Sequence, residues 1–293
     1  MSEQTFTIPC GGTEQVAILH RPDGAMRRSG IVIVVGGGPQ YRVGGHRQLV
    51  LWARALCAAG YPVLRFDYRG MGDTAGEFKG FTQVDDDIRS AVDRLQQEVP
   101  GLDDIVLWGE CDAASAILLY AGLDARVRGA VLLNPWVRTE ALQAQAMIKH
   151  YYLQRLMQPS FWKKLLGGGF NPLASLRSLI ALLRQSRQAK PAALAVPAGV
   201  GPISRALPLP QSMLLGLQRF QGELMLVMSG RDLIAREFDE VIAASAAWQQ
   251  GLVARATVRH DLPEGDHTFS SARLRDQVLD WGLDWLNRRG GAQ

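Results

Sequence analysis

Ile105-Val-Leu-Trp-Gly109-Glu110-Cys111-Asp112-Ala113-Ala-Ser-Ala-Ile-Leu-Leu-Tyr120 is the stretch on which the reading of this chain turns. Ile105 to Trp108 is apolar at every position, as a buried strand is. Gly109 to Ala113 forms a tight turn, and Ala114 to Tyr120 favours helix. Strand, sharp turn and helix in succession make the setting of a nucleophile elbow. The flanks of such a turn must be small, because strand and helix approach closely and the central residue sits in a strained backbone conformation. Gly109 and Ala113 meet that demand. Cys111 stands at the centre, where its sulfur is presented; the alternative is a cysteine packed as a small hydrophobe.

The rest of the chain decides between these. At 293 residues, 47% hydrophobic and 20% charged, it suits one large domain or a domain with a sizeable insertion. No apolar run approaches the ~18 residues that span a bilayer. Met1 to Ile8 has neither a basic region nor an apolar core, so no secretory signal is read and a cytoplasmic location is expected. Cys10, Cys57 and Cys111 are odd in number and far apart, which argues against a disulfide framework. Cys57 reads as helix packing and Cys10 as a residue near a hairpin turn. Without C-x-x-C or H-E-x-x-H spacing, no metal is expected, and no cofactor.

The net charge of +4 hides a segregation. Ala141 to Gly222 holds ten basic and no acidic residues, leaving 22 basic against 28 acidic elsewhere. Such a segment marks a module with its own task. The basic residues are not interleaved in any nucleic-acid-binding motif and the remainder is acidic, so nucleic acid is excluded as a partner.

Working outward from the elbow, Thr5–Ile8 and Val16–His20 read as a hairpin around Cys10-Gly-Gly-Thr-Glu-Gln15. Ile31–Val35 is a fully apolar β-branched run, the mark of a strand buried on both faces, and it ends in Gly36-Gly37-Gly38-Pro39. A helix is expected from about His46 to Ala59, a strand over Tyr61–Phe66, a helix over Asp85–Glu98 and a strand over Val127–Asn134. After the basic segment come a strand over Glu223–Gly230, a helix around Glu237–Gln250, a strand near Ala256–His260 and a closing helix over Ala272–Asn287. Alternating strands and helices predict an α/β fold with a mostly parallel sheet, whose ligands collect at the carboxyl ends of the strands.

A nucleophilic thiol needs a base, and the base an orienting group. Of five histidines, His20, His46 and His150 fall in a strand, a helix start and the basic segment. His267, in the loop Pro263-Glu-Gly-Asp-His-Thr-Phe269 after the last strand, is preferred to His260, which ends that strand. Asp232, in Ser229-Gly-Arg-Asp232, lies on a loop at the same sheet edge and is preferred to Asp239, which falls in a helical stretch. An oxyanion hole needs backbone N–H donors: Asp112 supplies one, and Gly37 or Gly38 the other, since Pro39 has no N–H. A phosphate cradle is the rival reading of the glycine run, but it lacks G-x-G-x-x-G spacing and a G-K-[ST] ending.

Gly60-Tyr-Pro-Val-Leu-Arg-Phe-Asp-Tyr-Arg-Gly-Met-Gly-Asp-Thr-Ala-Gly76 resembles the segment preceding the elbow in α/β-hydrolases, where D-x-R-G-x-G is frequent. With G-G-G-P, G-E-C-D-A, S-G-R-D and G-D-H-T-F, the likeness covers both halves of the chain and omits the basic segment. The wording G-G-G-P-Q-Y-R-V-G and W-G-E-C-D-A-A-S is more closely similar to the type 1 hydrolases associated with the exosortase A system. The resemblance implies an α/β-hydrolase fold with a mostly parallel central sheet flanked by helices, and the chain order nucleophile, acid, histidine given by Cys111, Asp232 and His267. Cys for Ser at 111 and Ala for Gly at 113 depart from the common pattern; a Cys-His-Asp triad is similar to that of dienelactone hydrolases. The family's usual insertion point implies a helical cap over 138–221, between core halves 1–137 and 222–293.

The expected chemistry is cleavage of an ester or thioester through an acyl-cysteine. The rivals are acyl transfer from the same intermediate and a non-catalytic binding or scaffolding role. Within the insert, Leu173, Leu176, Leu179, Ile180 and Leu183 share one helical face with Arg177, Arg184 and Arg187 at its edge. That pattern fits snorkelling at a membrane surface, and equally an anionic, lipid-like or carrier-bound acyl substrate; the plain alternative is a solvated basic cap.

Overall fold

The computed structural model describes residues 1–36, 40–137 and 206–290. Most of the insert expected over 138–221, with its amphipathic stretch and His150, therefore lies outside the described residues, as do Gly37 and Gly38.

Eight strands form one sheet in the order β1-β2-β4-β3-β5-β6-β7-β8. The opening hairpin joins β1 (Ser2–Cys10) to β2 (Thr13–Arg21). Its two-residue loop is Gly11-Gly12 with φ of 55° and 81°, a turn that matches the twist of the strands and that side chains disfavour. β2 runs antiparallel to β4 (Val63–Phe66). From β4 onward, β3 (Ser29–Val34), β5 (Asp104–Glu110), β6 (Val127–Leu133), β7 (Glu223–Ser229) and β8 (Val258–Leu262) are parallel. The apolar runs of β3 and β5 are buried at nearly every position, as strands covered on both faces must be.

β5 shows how its two covers are assigned. Successive side chains point to opposite faces. Trp108 turns toward α1 (Gln48–Ala58), where its ring lies 5.6 Å from that of Trp52, and toward Gly282 of α7 (Ala272–Gly290). Gly109 turns the other way, toward α3 (Asp112–Tyr120). On that second face α3 lies between α2 (Asp85–Glu98) and α4 (Leu209–Arg219). The α2 boundaries coincide with the sequence reading, and three aspartates open the helix where its dipole favours them.

Two elements differ from expectation. A single helix around Glu237–Gln250 is in fact two, α5 (Leu233–Ala243) and α6 (Ala246–Ala254), because Ser245 caps the second by accepting from Trp248 N at 3.4 Å. The helix expected from His46 begins at Gln48, after a 3₁₀ turn in which His46 and Arg47 have positive φ. The helix Leu209–Arg219, at the end of the expected insert, packs on α3 and supplies the crossover between β6 and β7. No helix among the described residues is long and apolar enough to cross a membrane.

The α3–α4 contact is unusually close. A Cβ on Gly216 would stand 1.8 Å from the carbonyl oxygen of Leu118. Replacing Gly216 by Ala should therefore lower unfolding stability by about 2 kcal/mol in urea denaturation, overpacking outweighing the ~1 kcal/mol that Ala adds to a helix.

Candidate active site

The turn between β5 and α3 is built around backbone strain. Cys111 has φ 59° and ψ −126°, a region that costs a side-chain-bearing residue about 1–3 kcal/mol. The surroundings hold it there. Its amide donates to Leu133 O at 2.8 Å, and its carbonyl accepts from Trp136 N at 3.2 Å and Ser115 N at 3.3 Å. Ser115 Oγ in turn donates to Trp136 O at 2.6 Å, tying the segment after β6 to the elbow. The small residues have the role that close approach demands. A Cβ on Gly109 would meet Ile117 at 2.7 Å and the Ala113 backbone at 3.0 Å. One on Gly36, just after β3, would meet the Glu110 carbonyl and the Asp112 carboxylate, each at 2.5 Å.

His267 reaches the sulfur from the loop after β8. Its Nδ1 lies 2.7 Å from Asp232 Oδ2, and the ring lines the same cavity as Cys111, near enough that thiol and imidazole shift each other's protonation. With Nδ1–H given to the carboxylate, Nε2 is the nitrogen left for sulfur. Asp232 has a second task as N-cap of α5, accepting from Ile234 N at 3.0 Å and Ala235 N at 3.4 Å. Its carboxylate is thus fixed by the helix terminus before it meets the histidine. The structure brings Cys111, Asp232 and His267 together. It leaves the competitors elsewhere: His260 stacks on Trp281 with rings 4.4 Å apart, and Asp239 pairs with Arg259 at 2.7 Å. His20 is buried in β2, accepting from Arg65 Nε at 3.0 Å.

Sequence reasoning missed Asn134. Fully buried at the end of β6, it takes φ 46°, accepts from Ser229 N at 2.8 Å and donates to Ser229 Oγ and to the His267 carbonyl, each at 3.0 Å. Arg231 N also donates to Gly265 O at 3.0 Å, so the acid loop and the histidine loop are bonded directly. The available signal was Asn-Pro at the carboxyl end of a predicted strand, a place where a buried amide can satisfy three loops at once.

The D-x-R-G-x-G segment has a comparable role on the opposite side. Asp67 is fully buried; it accepts from Arg42 N at 2.6 Å and Arg42 Nη1 at 2.5 Å, and from Asp73 N at 3.1 Å. Arg65 Nη1 donates to Arg42 O at 2.5 Å. These bonds hold the chain that returns from the glycine run. Of the expected oxyanion donors, Asp112 N lies against the sulfur; Gly37 and Gly38 lie outside the described residues. A cavity of about 480 Å³ opens over Cys111 and is also lined by Gly36, Gln48, Glu110 and His267.

The electrostatics set the sulfur against its base. Burial pushes the Cys111 thiol up, and the neighbouring His267 imidazole opposes that rise without cancelling it. The His267 imidazole is pushed up to about 10, first by Asp232 and then by Cys111, against burial. Asp232 thus favours a charged imidazole, while burial acts against charge on the sulfur.

Residues 29–191, more than half of the 293-residue chain, match the family described as serine aminopeptidase, S33. The chain belongs to this family of α/β-hydrolases. As an S33-family hydrolase it departs from the family's description in carrying cysteine at the elbow. Similar solved structures include an esterase of Pyrococcus furiosus, 14% identical over 98% of this chain and 90% of that one, with a TM-score of 0.63. A carboxyl esterase from Bacillus coagulans is 17% identical over 98% of each chain, TM-score 0.63. A proline iminopeptidase of Mycobacterium smegmatis is 13% identical over 99% of each, TM-score 0.60. At such identities the likeness is one of fold. No curated protein matches the chain in sequence.

Asp232→Asn separates the two tasks of that residue in the S33-family hydrolase, because Asn caps a helix as well as Asp. The helix cap should survive, so melting at pH 7 should fall only by the lost Asp232–His267 pair, whereas alkylation of Cys111 by iodoacetamide at pH 7 should slow about tenfold or more as the imidazole loses its carboxylate. Stability carries a second signature. The folded His267 holds its proton more tightly than the unfolded one, so this contribution is complete below about 6.5 and lost as pH rises to about 10. The stability gap between the native chain and His267→Gln, followed by denaturation across that window, should close as pH rises.

Proposed function

We propose that this S33-family hydrolase cleaves carboxylic esters or thioesters through an acyl intermediate on Cys111. One observation carries the reading: the His267 ring, held at Nδ1 by the Asp232 carboxylate at 2.7 Å, lines the same cavity as Cys111. In the reactive form the thiol proton already rests on His267 Nε2, and the sulfur attacks the carbonyl carbon as thiolate. The carbonyl oxygen becomes an oxyanion, stabilised by Asp112 N–H and by the glycine run at Gly37 or Gly38. As the tetrahedral species collapses, the imidazolium gives its proton to the departing alcohol or thiol, leaving a thioester on Cys111. Water then attacks, His267 taking one of its protons; expulsion of the Cys111 sulfur, with return of the proton, releases the acid.

The esterases among the similar folds support the ester class. The likeness of G-G-G-P-Q-Y-R-V-G and W-G-E-C-D-A-A-S to exosortase A-associated hydrolases supports a cytoplasmic role in exosortase- or exopolysaccharide-linked metabolism. An amine, alcohol or thiol that replaces water at the thioester turns the same site into an acyltransferase, and product analysis distinguishes the two.

Incubation with p-nitrophenyl and thioester acyl substrates of graded length, quenched in acid, should reveal an acyl mass on the peptide carrying Cys111. Cys111→Ala should lose at least about 10³-fold in turnover. Turnover undiminished in that variant would remove the proposal.

A further inference from the structure

Two buried oxygens beside Cys111 have no partner. Gln48, at the start of α1 and 2% exposed, donates through Nε2 to Glu110 Oε2. That bond leaves Gln48 Oε1 and Glu110 Oε1 without a hydrogen bond, although neither atom is exposed. Leaving a polar atom buried and unpaired costs about 1–3 kcal/mol, so two such atoms on a hydrogen-bonded pair of side chains call for an explanation. Both residues line the cavity over Cys111. Neither belongs to the series that activates the sulfur.

The character of the wall narrows what could satisfy them. Glu110 and Asp112 both line the cavity, and no lysine or arginine does so among the described residues. Among the described residues His267 is the one titratable base there, and it is engaged by Asp232. A group complementary to this wall donates several hydrogen bonds, carries positive charge and is small enough to sit beside the nucleophile. An alkylammonium meets all three conditions. A carboxylate or phosphate would face two carboxyl groups and two acceptor oxygens.

We propose that Glu110 and Gln48 form a subsite next to Cys111 that binds a cationic amine on the substrate, their unpartnered Oε1 atoms accepting its N–H groups. The inference rests on the reading of Cys111 as nucleophile and names the substrate's chemical class: an amino-bearing ester or thioester. Burial supports it. Desolvation, reinforced by the carboxylates of Asp232 and Asp266 and opposed by His267 and by the Gln48 bond, pushes the Glu110 carboxyl up to about 8. An arriving ammonium supplies the positive charge that lets this acid ionise.

The test uses the intact protein and reads protection of Cys111 from iodoacetamide by peptide mass, with Cys10 and Cys57 as internal controls. n-Butylammonium is compared with its uncharged isostere 1-butanol. The expected result is protection of Cys111 by butylammonium at a concentration at least about tenfold lower than butanol requires. That preference should disappear in Glu110→Gln and shrink in Gln48→Met. Equal protection by the two probes, no protection by butylammonium, or an unchanged preference in Glu110→Gln would overturn the proposal. Should Glu110→Gln fail to fold, Gln48→Met decides by the same criterion. The readout is independent of turnover, so a failed amine preference leaves the acyl-cysteine reading intact, and an absent acyl adduct leaves the protection curves interpretable.

Discussion

The positive φ of Cys111 is the constraint around which the catalytic rim is organised. A cysteine does not adopt φ 59° and ψ −126° without compensation, and the compensation comes from three directions. β6 and the segment after it hold the backbone of Cys111 through Leu133 and Trp136. Gly109 and Ala113 let strand and helix close to a distance at which larger residues would collide. Gly36 admits the loop from β3 to the same spot. The result is a cysteine held at the carboxyl edge of the sheet, where it lines the cavity.

The partners of the sulfur are positioned by the same economy, each by a bond serving two purposes. Asp232 caps α5 and orients His267, so the acid cannot move without unpinning a helix. Asn134 closes the end of β6, anchors Ser229 before the acid loop and holds the His267 carbonyl. Asp67 and Arg65 hold Arg42 and thereby the return of the glycine run. Side chains on rigid anchors keep their geometry when substrate arrives, which is what preorganised catalysis requires.

Charge is distributed unevenly between the two parts of the chain. The stretch from Ala141 to Gly222 carries ten basic residues and no acidic ones, whereas the described cavity wall carries Glu110 and Asp112. A reading of substrate charge from the insert's composition alone therefore points the opposite way from the cavity wall.

Much of this was legible in the residues. Apolar runs without alternation identified β3 and β5 as interior strands; periodicity and an acidic first turn gave α2 its observed ends. Small residues flanking Cys111 marked the elbow, and the loops after β7 and β8 singled out Asp232 and His267. These signals survive in one dimension because each is a local steric or capping rule. What stayed hidden depends on neighbours remote in the chain. Asn134 and Ser229 are 95 positions apart, and Gln48 and Glu110 are 62 apart. A polar side chain's role is set by the partner that meets it inside the fold, and no local pattern records which partner that is. The sequence alone determined the α/β architecture and the candidates for the sulfur's partners, because steric and periodic rules act between near neighbours. Only the tertiary structure decided that an acid capping α5 meets the histidine and that two oxygens beside the thiol are left unpaired, because burial and hydrogen-bond satisfaction are properties of the packed molecule.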